Sequence, residues 1–124
     1  MIAKIKKSLE ERKVYGDLLL DSLDIAEDIM RVGGLVTSEG FAVLYHATSK
    51  ESYDSIKKEG YMFGKENGIF FSTKIDGEIS GYGECVLKAL IPLERLLLDD
   101  EFSDELHFKV EVPAYKKVAI RLYE

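Results

Sequence analysis

Residues 41–56, FAVLYHATSKESYDSI, contain the change from strand to helix around which the rest of the chain is arranged. The first seven residues are rich in apolar and aromatic side chains, which is typical of a short buried strand. Thr48 and Glu51 follow with the spacing of a capping box, so a helix is predicted from there through Lys58. His46, one of two histidines in the chain, is therefore expected at a strand end beside a helix N-terminus.

The residues before this stretch have the pattern of helices. Residues 2–32 are predicted to form two helical pieces that are divided near Tyr15 and Gly16 and stopped at Gly33. One face of the second piece is predicted to be inward because its apolar residues recur at helical spacing. These residues are Leu19, Leu23, Ala26 and Met30.

The residues after position 60 have the pattern of strands. The predicted strands are GIFFST (68–73), CVLKALI (85–91), ELHFKVEV (105–112) and KVAIRLY (117–123). The third alternates apolar and polar residues, as expected when one face of a strand is buried. PLERLLLDDEF (92–102) is predicted to be a helical turn or short helix that follows a proline. Helices, a strand, a helix and then mostly strands indicate an α+β fold with a largely antiparallel sheet.

Composition limits the class of protein. A length of 124 residues indicates one domain, residues 1–124, with a helical N-terminal part (1–40) and a second part (41–124). The net charge is −6, and only four of the seventeen basic residues are arginines, which argues against a nucleic-acid partner. The sequence has no long apolar run, so we expect no membrane segment.

The single cysteine gives an expectation about location. Cys85 has no second cysteine to pair with, which makes the reducing cytoplasm the expected compartment. It stands in an apolar strand pattern, so it is interpreted as a buried small hydrophobic residue rather than as a nucleophile. No group of cysteines and histidines has zinc-binding spacing, and we expect no metal.

The residues able to do chemistry stand at the predicted ends of different strands. They are His46, Ser72 with Thr73, Tyr82 between two glycines, and Glu105. A histidine, an aromatic ring and a carboxylate placed in this way would suit a dinucleotide, since they can bond a ribose, stack on a flat ring and stabilise developing positive charge. His107 stands on the same strand face as Glu105 and is interpreted as a partly exposed sheet residue or a secondary ligand contact.

Three segments together resemble a known family. LYHATS, GIFFST and ELHFKVEVPAYKKVAIRLY are similar, in this order, to the histidine motif, the following strand and the closing hairpin of ADP-ribosyltransferases of the diphtheria-toxin and poly(ADP-ribose)-polymerase type. The resemblance spans Leu44 to Tyr123, about two thirds of the chain. It implies split antiparallel sheets around an NAD cleft, with the N-terminal helices covering one side.

The resemblance also implies roles for single residues. His46 would hold a ribose hydroxyl of NAD, and the backbone of Ala47 would meet the nicotinamide amide. Tyr82 would stack on the nicotinamide ring, and Thr48 and Ser72 would complete the cofactor-binding set. The catalytic pair would be Glu105 with His46, because Glu105 would bond the ribose 2′-hydroxyl and stabilise the oxocarbenium-like transition state.

The sequence departs from the family pattern at several positions. Ala47 stands where the family has glycine, and Tyr82 follows GIFFST at a short spacing, so Tyr61 or Phe71 could replace it. Ser103 stands where arginine-modifying members carry a second Glu or Gln, which argues against arginine as the acceptor. No arginine is near the motif residues in sequence, which argues against the RNA 2′-phosphotransferase branch.

The function expected from this resemblance is mono-ADP-ribosyl transfer from NAD to a macromolecule, with release of nicotinamide. A protein is the first candidate for the acceptor. Such small chains resemble the stand-alone, toxin-like effectors of phages and bacteria. NAD glycohydrolase activity remains an alternative because the active site is shared. A non-catalytic binding or inhibitor protein of the same fold and a plain structural α+β domain also remain open.

Overall fold

The fold was determined as a computed structural model that describes residues 1–64, 68–77, 81, 83–112 and 116–123. It confirms the α+β class: helices and antiparallel strands are combined in one chain. The helices in the described part are α1 (Ile2–Glu11), α2 (Gly16–Arg31) and α3 (Lys50–Glu59). The predicted break between the first two helices and the helix after His46 are therefore confirmed.

Nine strands occur in the same described ranges. They are β1 (Leu35–Val36), β2 (Phe41–Thr48), β3 (Tyr61–Phe63), β4 (Gly68–Ser72), β5 (Cys85–Pro92), β6 (Leu97–Glu101), β7 (Leu106–Glu111), β8 (Lys117–Ala119) and β9 (Arg121–Leu122). A short 3-10 turn at Leu93–Arg95 connects β5 to β6. The strands predicted near residues 41–47, 68–73, 85–91 and 105–112 are confirmed to within two residues at each end.

The strands form a large sheet and a small one. The large sheet has the order β6-β7-β4-β2-β5-β9, with β1 also paired to β2, and the small sheet pairs β3 with β8. All of these pairings are antiparallel. The longest pairing joins β2 to β5 without a register shift, from Phe41 opposite Pro92 to Thr48 opposite Cys85. Because this pairing is unbroken, successive side chains of β2, including His46, alternate between the two faces of the sheet.

The helix predicted in residues 92–102 is wrong beyond its first turn. Residues after the 3-10 turn form β6, which pairs with β7 at the edge of the large sheet. Every side chain of β6 is exposed, so no alternation of buried and exposed residues marks it as a strand. The backbone hydrogen bonds to β7, which only the tertiary fold provides, decide its conformation.

The last predicted strand, residues 117–123, is divided between the two sheets. β8 pairs with β3, whereas β9 pairs with β5 at the far end of the large sheet. The described partners of β7 are β4 and β6. The expected closing hairpin between residues 105–112 and 117–123 is therefore not formed in the described residues, and its turn at 113–115 lies outside them.

The N-terminal helices bury one face each against the core of the sheet. The buried residues of α2 are Leu19, Ser22, Ala26 and Ile29, whereas the predicted Leu23 and Met30 are only partly buried at the margin of the core. The inward face is thus rotated slightly from the predicted one. Ser22 can occupy it because its hydroxyl donates a hydrogen bond to the carbonyl of Leu18 (2.7 Å), which satisfies the buried polar group.

Arg12 connects the end of α1 to the sheet. Its guanidinium donates two hydrogen bonds to the carboxylate of Glu94, at 2.9 and 2.8 Å, and further bonds to the carbonyls of Glu39 and Gly40. Burial would raise the pKa of Glu94, but the hydrogen bonds from Arg12 and from the backbone outweigh burial and lower it. Arg12 therefore has a structural role, since it joins the end of α1 to the segment before β2 and to the turn after β5.

Candidate functional site

β2 and β4 separate from each other in the middle of the large sheet. They share one register pair, Tyr45 with Ser72, although β2 continues to Thr48. The His46 side chain crosses the opening, and its Nδ1 atom lies 2.7 Å from the backbone oxygen of Phe70. Because a carbonyl oxygen only accepts hydrogen bonds, Nδ1 is the donor, and Nε2 of a neutral ring is then an acceptor. His46 is thereby held in one tautomer at the opening.

The backbone of Ala47 points toward the same opening. The carbonyl of Phe41 accepts a hydrogen bond from the amide of Thr37 (2.8 Å), on the side of β2 where β1 lies. Alternate residues of a strand direct their backbone groups to the same side. Since the pairing of β2 with β5 has no register shift, Ala47 has the same backbone direction as Phe41. The N–H and C=O of Ala47 are therefore directed to the side of β2 where β4 has separated. Its backbone is not in the positive-φ region, so its methyl group causes no strain.

A cleft of about 860 Å³ occupies this opening. Its lining includes His46, Ala47 and Thr48 from β2 on one side, and Phe70 with His107 on the other. The volume lies within the range of about 300–1,000 Å³ that is typical of ligand pockets. The cleft therefore combines three of the predicted site residues, His46, Ala47 and Thr48, with a histidine whose role the sequence had left open.

The helix next to the cleft begins one residue later than predicted. Thr48 is still paired with Cys85 as the last residue of β2, and the N-cap of α3 is Ser49, whose hydroxyl accepts the amide of Ser52 (3.2 Å). Gly83 lies against the backbone of Thr48, where an added Cβ would come within 2.5 Å of the carbonyl oxygen. A chain segment thus crosses the end of β2 at a distance that only glycine permits.

Glu105 lies directly before β7 and is buried, with 3% of its surface exposed. Its Oε2 atom accepts a hydrogen bond from the Ser72 hydroxyl (2.8 Å) and lies 2.7 Å from Nε2 of His107. A Cβ added to Gly77 would stand 1.9 Å from Oε1, so the chain at Gly77 covers the carboxylate. Ser72, Glu105 and His107 form one buried polar group, with the carboxylate between the hydroxyl and the imidazole.

His107 connects this buried group to the cleft. Its side chain is 17% exposed and is part of the cleft lining. Since an ionised carboxylate only accepts, Nε2 donates to Glu105, and Nδ1 is the basic nitrogen of the neutral ring. Phe102 holds the imidazole by an edge contact, with 5.1 Å between ring centres. The sequence contained one signal for this arrangement: His107 follows Glu105 by two residues, a spacing that places both side chains on one face of an extended chain.

Ser72 was predicted to contact the cofactor and was therefore expected on a ligand-binding surface, whereas the structure buries it. It is fully buried, its hydroxyl donates to Glu105, and it accepts the amide of Lys74 (3.1 Å). Nearby, the Asp104 carboxylate lies 2.8 Å from Nζ of Lys74, which raises the pKa of Lys74, while Lys74 lowers the pKa of Asp104. This ion pair connects the segment after β4 to the turn that contains Glu105. The described role of Ser72 is to hold Glu105, and a cofactor contact by Ser72 stays a prediction.

Several aromatic residues of the described part of the chain line the cleft. Tyr82 lies outside the described residues. Its two alternatives, Phe71 and Tyr61, both line the cleft: Phe71 is buried and packs against the His46 ring (5.6 Å between centres), whereas Tyr61 is 44% exposed. Phe63 and Phe70 are exposed cleft residues that the sequence reasoning missed. Phe63 follows Tyr61 by two residues on the short strand β3, which was not predicted.

The described ranges contain neither a metal-binding cluster nor a membrane-spanning helix. No group of three or more His, Cys, Asp or Glu side chains within them could hold a metal ion. None of their helices combines the length and the apolar character needed to cross a membrane.

Comparisons of the chain with protein-family models, with curated proteins and with solved structures found no match.

Proposed function

We propose that the chain transfers ADP-ribose from NAD to a protein acceptor, with nicotinamide as the leaving group. The observation that supports this proposal best is the separation of β2 from β4, which directs the Ala47 backbone toward a cleft that His46 also lines. Both the seven-stranded and the two-stranded sheet contribute residues to the lining of this cleft, which is compatible with an ADP-ribosyltransferase-like fold. The proposed location is the cytoplasm.

The β2 side of the cleft matches the hydrogen-bonding groups of nicotinamide riboside. A carboxamide has one acceptor oxygen and an NH₂ donor, and the N–H and C=O of Ala47 offer the complementary pair. The Nε2 atom of neutral His46 accepts a hydrogen bond from a ribose hydroxyl, because Nδ1 donates to Phe70. The two neighbouring residues would thus hold the amide and the ribose of one ligand.

Glu105 is buried behind the opposite side of the cleft, where its hydrogen bond to the lining residue His107 brings the negative charge that the reaction needs close to the cleft. Nicotinamide leaves as a neutral pyridine and leaves positive charge on the ribose ring, so a nearby carboxylate lowers the energy of the transition state. Glu105 can remain ionised although it is buried, because Ser72 and His107 both bond to Oε2. An exposed aromatic ring, Tyr61 or Phe63 among the described residues, is available to stack on the nicotinamide.

The proposal is tested by measuring nicotinamide release from NAD by the purified chain. Glu105→Gln keeps the size of the side chain but removes its charge, so we expect release to fall by at least about 100-fold. Glu111→Gln is the matched control, because Glu111 is an exposed carboxylate at the other end of the strand that Glu105 precedes. Wild-type release at the rate of Glu105→Gln would contradict the proposal.

A second arm of the same experiment separates transfer from hydrolysis. The assay is run with and without cell lysate, and labelled ADP-ribose is followed into protein. Release that needs lysate and labels protein supports the transferase. Equal release without lysate and without labelled protein would mean that water is the acceptor and that the chain is an NAD glycohydrolase.

A further inference from the structure

His107 is a titratable group in the cleft that the proposed reaction has not yet used. It lines the cleft opposite His46 and Ala47, and its Nε2 atom is occupied by Glu105 at 2.7 Å. Phe102 fixes the plane of the ring from the side. A histidine bonded to a buried carboxylate through one nitrogen is oriented to accept a proton on the other.

We propose that His107 is the general base that removes the proton from the acceptor nucleophile. This inference rests on the proposed function, since it concerns the second substrate of the same cleft. Glu105 then has two effects: its charge stabilises the ribose cation, and its hydrogen bond holds the His107 ring and stabilises the imidazolium that forms. His107 contacts the reacting atoms, and Ser72 positions Glu105 from the other side.

The step balances without any further reactant. The acceptor oxygen forms a bond to the anomeric carbon of the ribose as the bond from that carbon to the nicotinamide nitrogen breaks. The electron pair of the broken bond stays on the nicotinamide nitrogen, which loses its positive charge. The acceptor proton passes to Nδ1 of His107 and later to solvent. The products are the ADP-ribosylated acceptor, nicotinamide and one proton.

A base at this position indicates the class of acceptor. A hydroxyl group is a poor nucleophile while it carries its proton, so a base in the cleft accelerates its attack. A carboxylate acceptor attacks as an anion and needs no base. The dyad of His107 and Glu105 therefore favours an acceptor whose nucleophilic atom carries a proton, such as the hydroxyl of a Ser, Thr or Tyr side chain, over a carboxylate acceptor.

The test compares acceptors that do and do not carry a proton. His107→Ala is assayed for nicotinamide release with lysate, and then with azide, which attacks the ribose as an anion. We expect His107→Ala to lower the rate with lysate by about 10²–10⁴-fold and azide to restore rapid release. Glu105→Gln should stay slow with azide, because the ribose cation still lacks its stabilising charge.

Each result has a distinct meaning. Wild-type rates for His107→Ala with lysate would overturn the base assignment and leave the proposed function intact. A slow His107→Ala that azide does not restore would also overturn it, because proton removal would not be the missing function. Absence of release from wild-type protein with lysate and with azide would refute the NAD chemistry itself, and the inference with it.

A second variant shows whether a slow rate of His107→Ala comes from the missing base or from loss of folding. His107→Gln retains a side-chain amide that can donate to Glu105, so it preserves the buried hydrogen bond while removing the base. It should show the same azide dependence as His107→Ala, with a thermal midpoint close to that of the wild type. A His107→Gln variant that is folded and active at the wild-type rate with lysate would overturn the assignment.

Discussion

Gly77 is the position where a single methyl group should disturb the buried carboxylate. In Gly77→Ala the new Cβ would stand 1.9 Å from Oε1 and 2.5 Å from Cδ of Glu105, much closer than van der Waals contact. The carboxylate cannot easily turn away, since Ser72 and His107 both hold Oε2. Either Glu105 must leave its hydrogen bonds or the chain at Gly77 must move outward.

The response that costs less free energy determines how much Gly77→Ala destabilises the fold. Releasing Glu105 would lose two hydrogen bonds to a charged group, at about 1.5–3 kcal/mol each. Moving an overpacked backbone segment costs about 1–3 kcal/mol. We therefore expect the segment to move and Gly77→Ala to lower the free energy of unfolding by about 1–3 kcal/mol. For a domain of this size that corresponds to a fall in Tm of roughly 4–12 °C.

Thermal unfolding followed by circular dichroism measures this effect, and Gly81→Ala is the control. Gly81 has nothing within 4 Å of an added Cβ, so its substitution should change the stability by less than about 0.5 kcal/mol. A double-mutant cycle with Glu105→Ala then tests the cause, because the clash should disappear when the carboxylate is absent. Equal midpoints for Gly77→Ala, Gly81→Ala and wild type would refute the reasoning.

Two further predictions concern other buried polar contacts. Ser72→Ala should destabilise the fold by about 1–3 kcal/mol, because it removes the hydroxyl that donates to the Glu105 carboxylate and accepts the Lys74 amide. An unchanged urea midpoint would contradict this prediction. Arg12→Gln should cost about 1 kcal/mol near neutral pH, and its effect should depend on pH. Because folding lowers the pKa of Glu94 from 4.5, the stability from this pair is present above that value and is lost as the pH falls through the lower folded-state pKa. The urea midpoints of Arg12→Gln and wild type should therefore converge in acid, and a constant difference would refute the role of Glu94.

The positions of the central strands followed from the sequence because each has a buried face. Residues 106–111 alternate buried side chains with partly or fully exposed ones, and the strand at 41–48 begins with a continuous apolar and aromatic run, residues 41–45. The edge strand β6 had no such pattern, since all its side chains are exposed. Ile120 separates β8 from β9, and no local signal indicates that the two neighbouring segments pair with different sheets.

The candidate site followed from the sequence only in part. His46, Ala47 and Thr48 line the same cleft, because neighbours on one strand remain neighbours in the fold. The burial of Glu105 and its hydrogen bonds to Ser72 and His107 could not be predicted, since they depend on the pairing of β4 with β7. The roles in NAD chemistry remain proposals.

The sequence by itself determined the α+β class, the central strands and the position of His46 at a strand end. These features depend on local patterns of apolar residues, helix capping and turns, which act over a few residues. The tertiary structure alone decided where β2 separates from β4, how Gly77 covers Glu105 and which histidine lies opposite Ala47. Each of these depends on strands distant in the chain being brought side by side, and such contacts are set by the packing of the whole core rather than by any single segment.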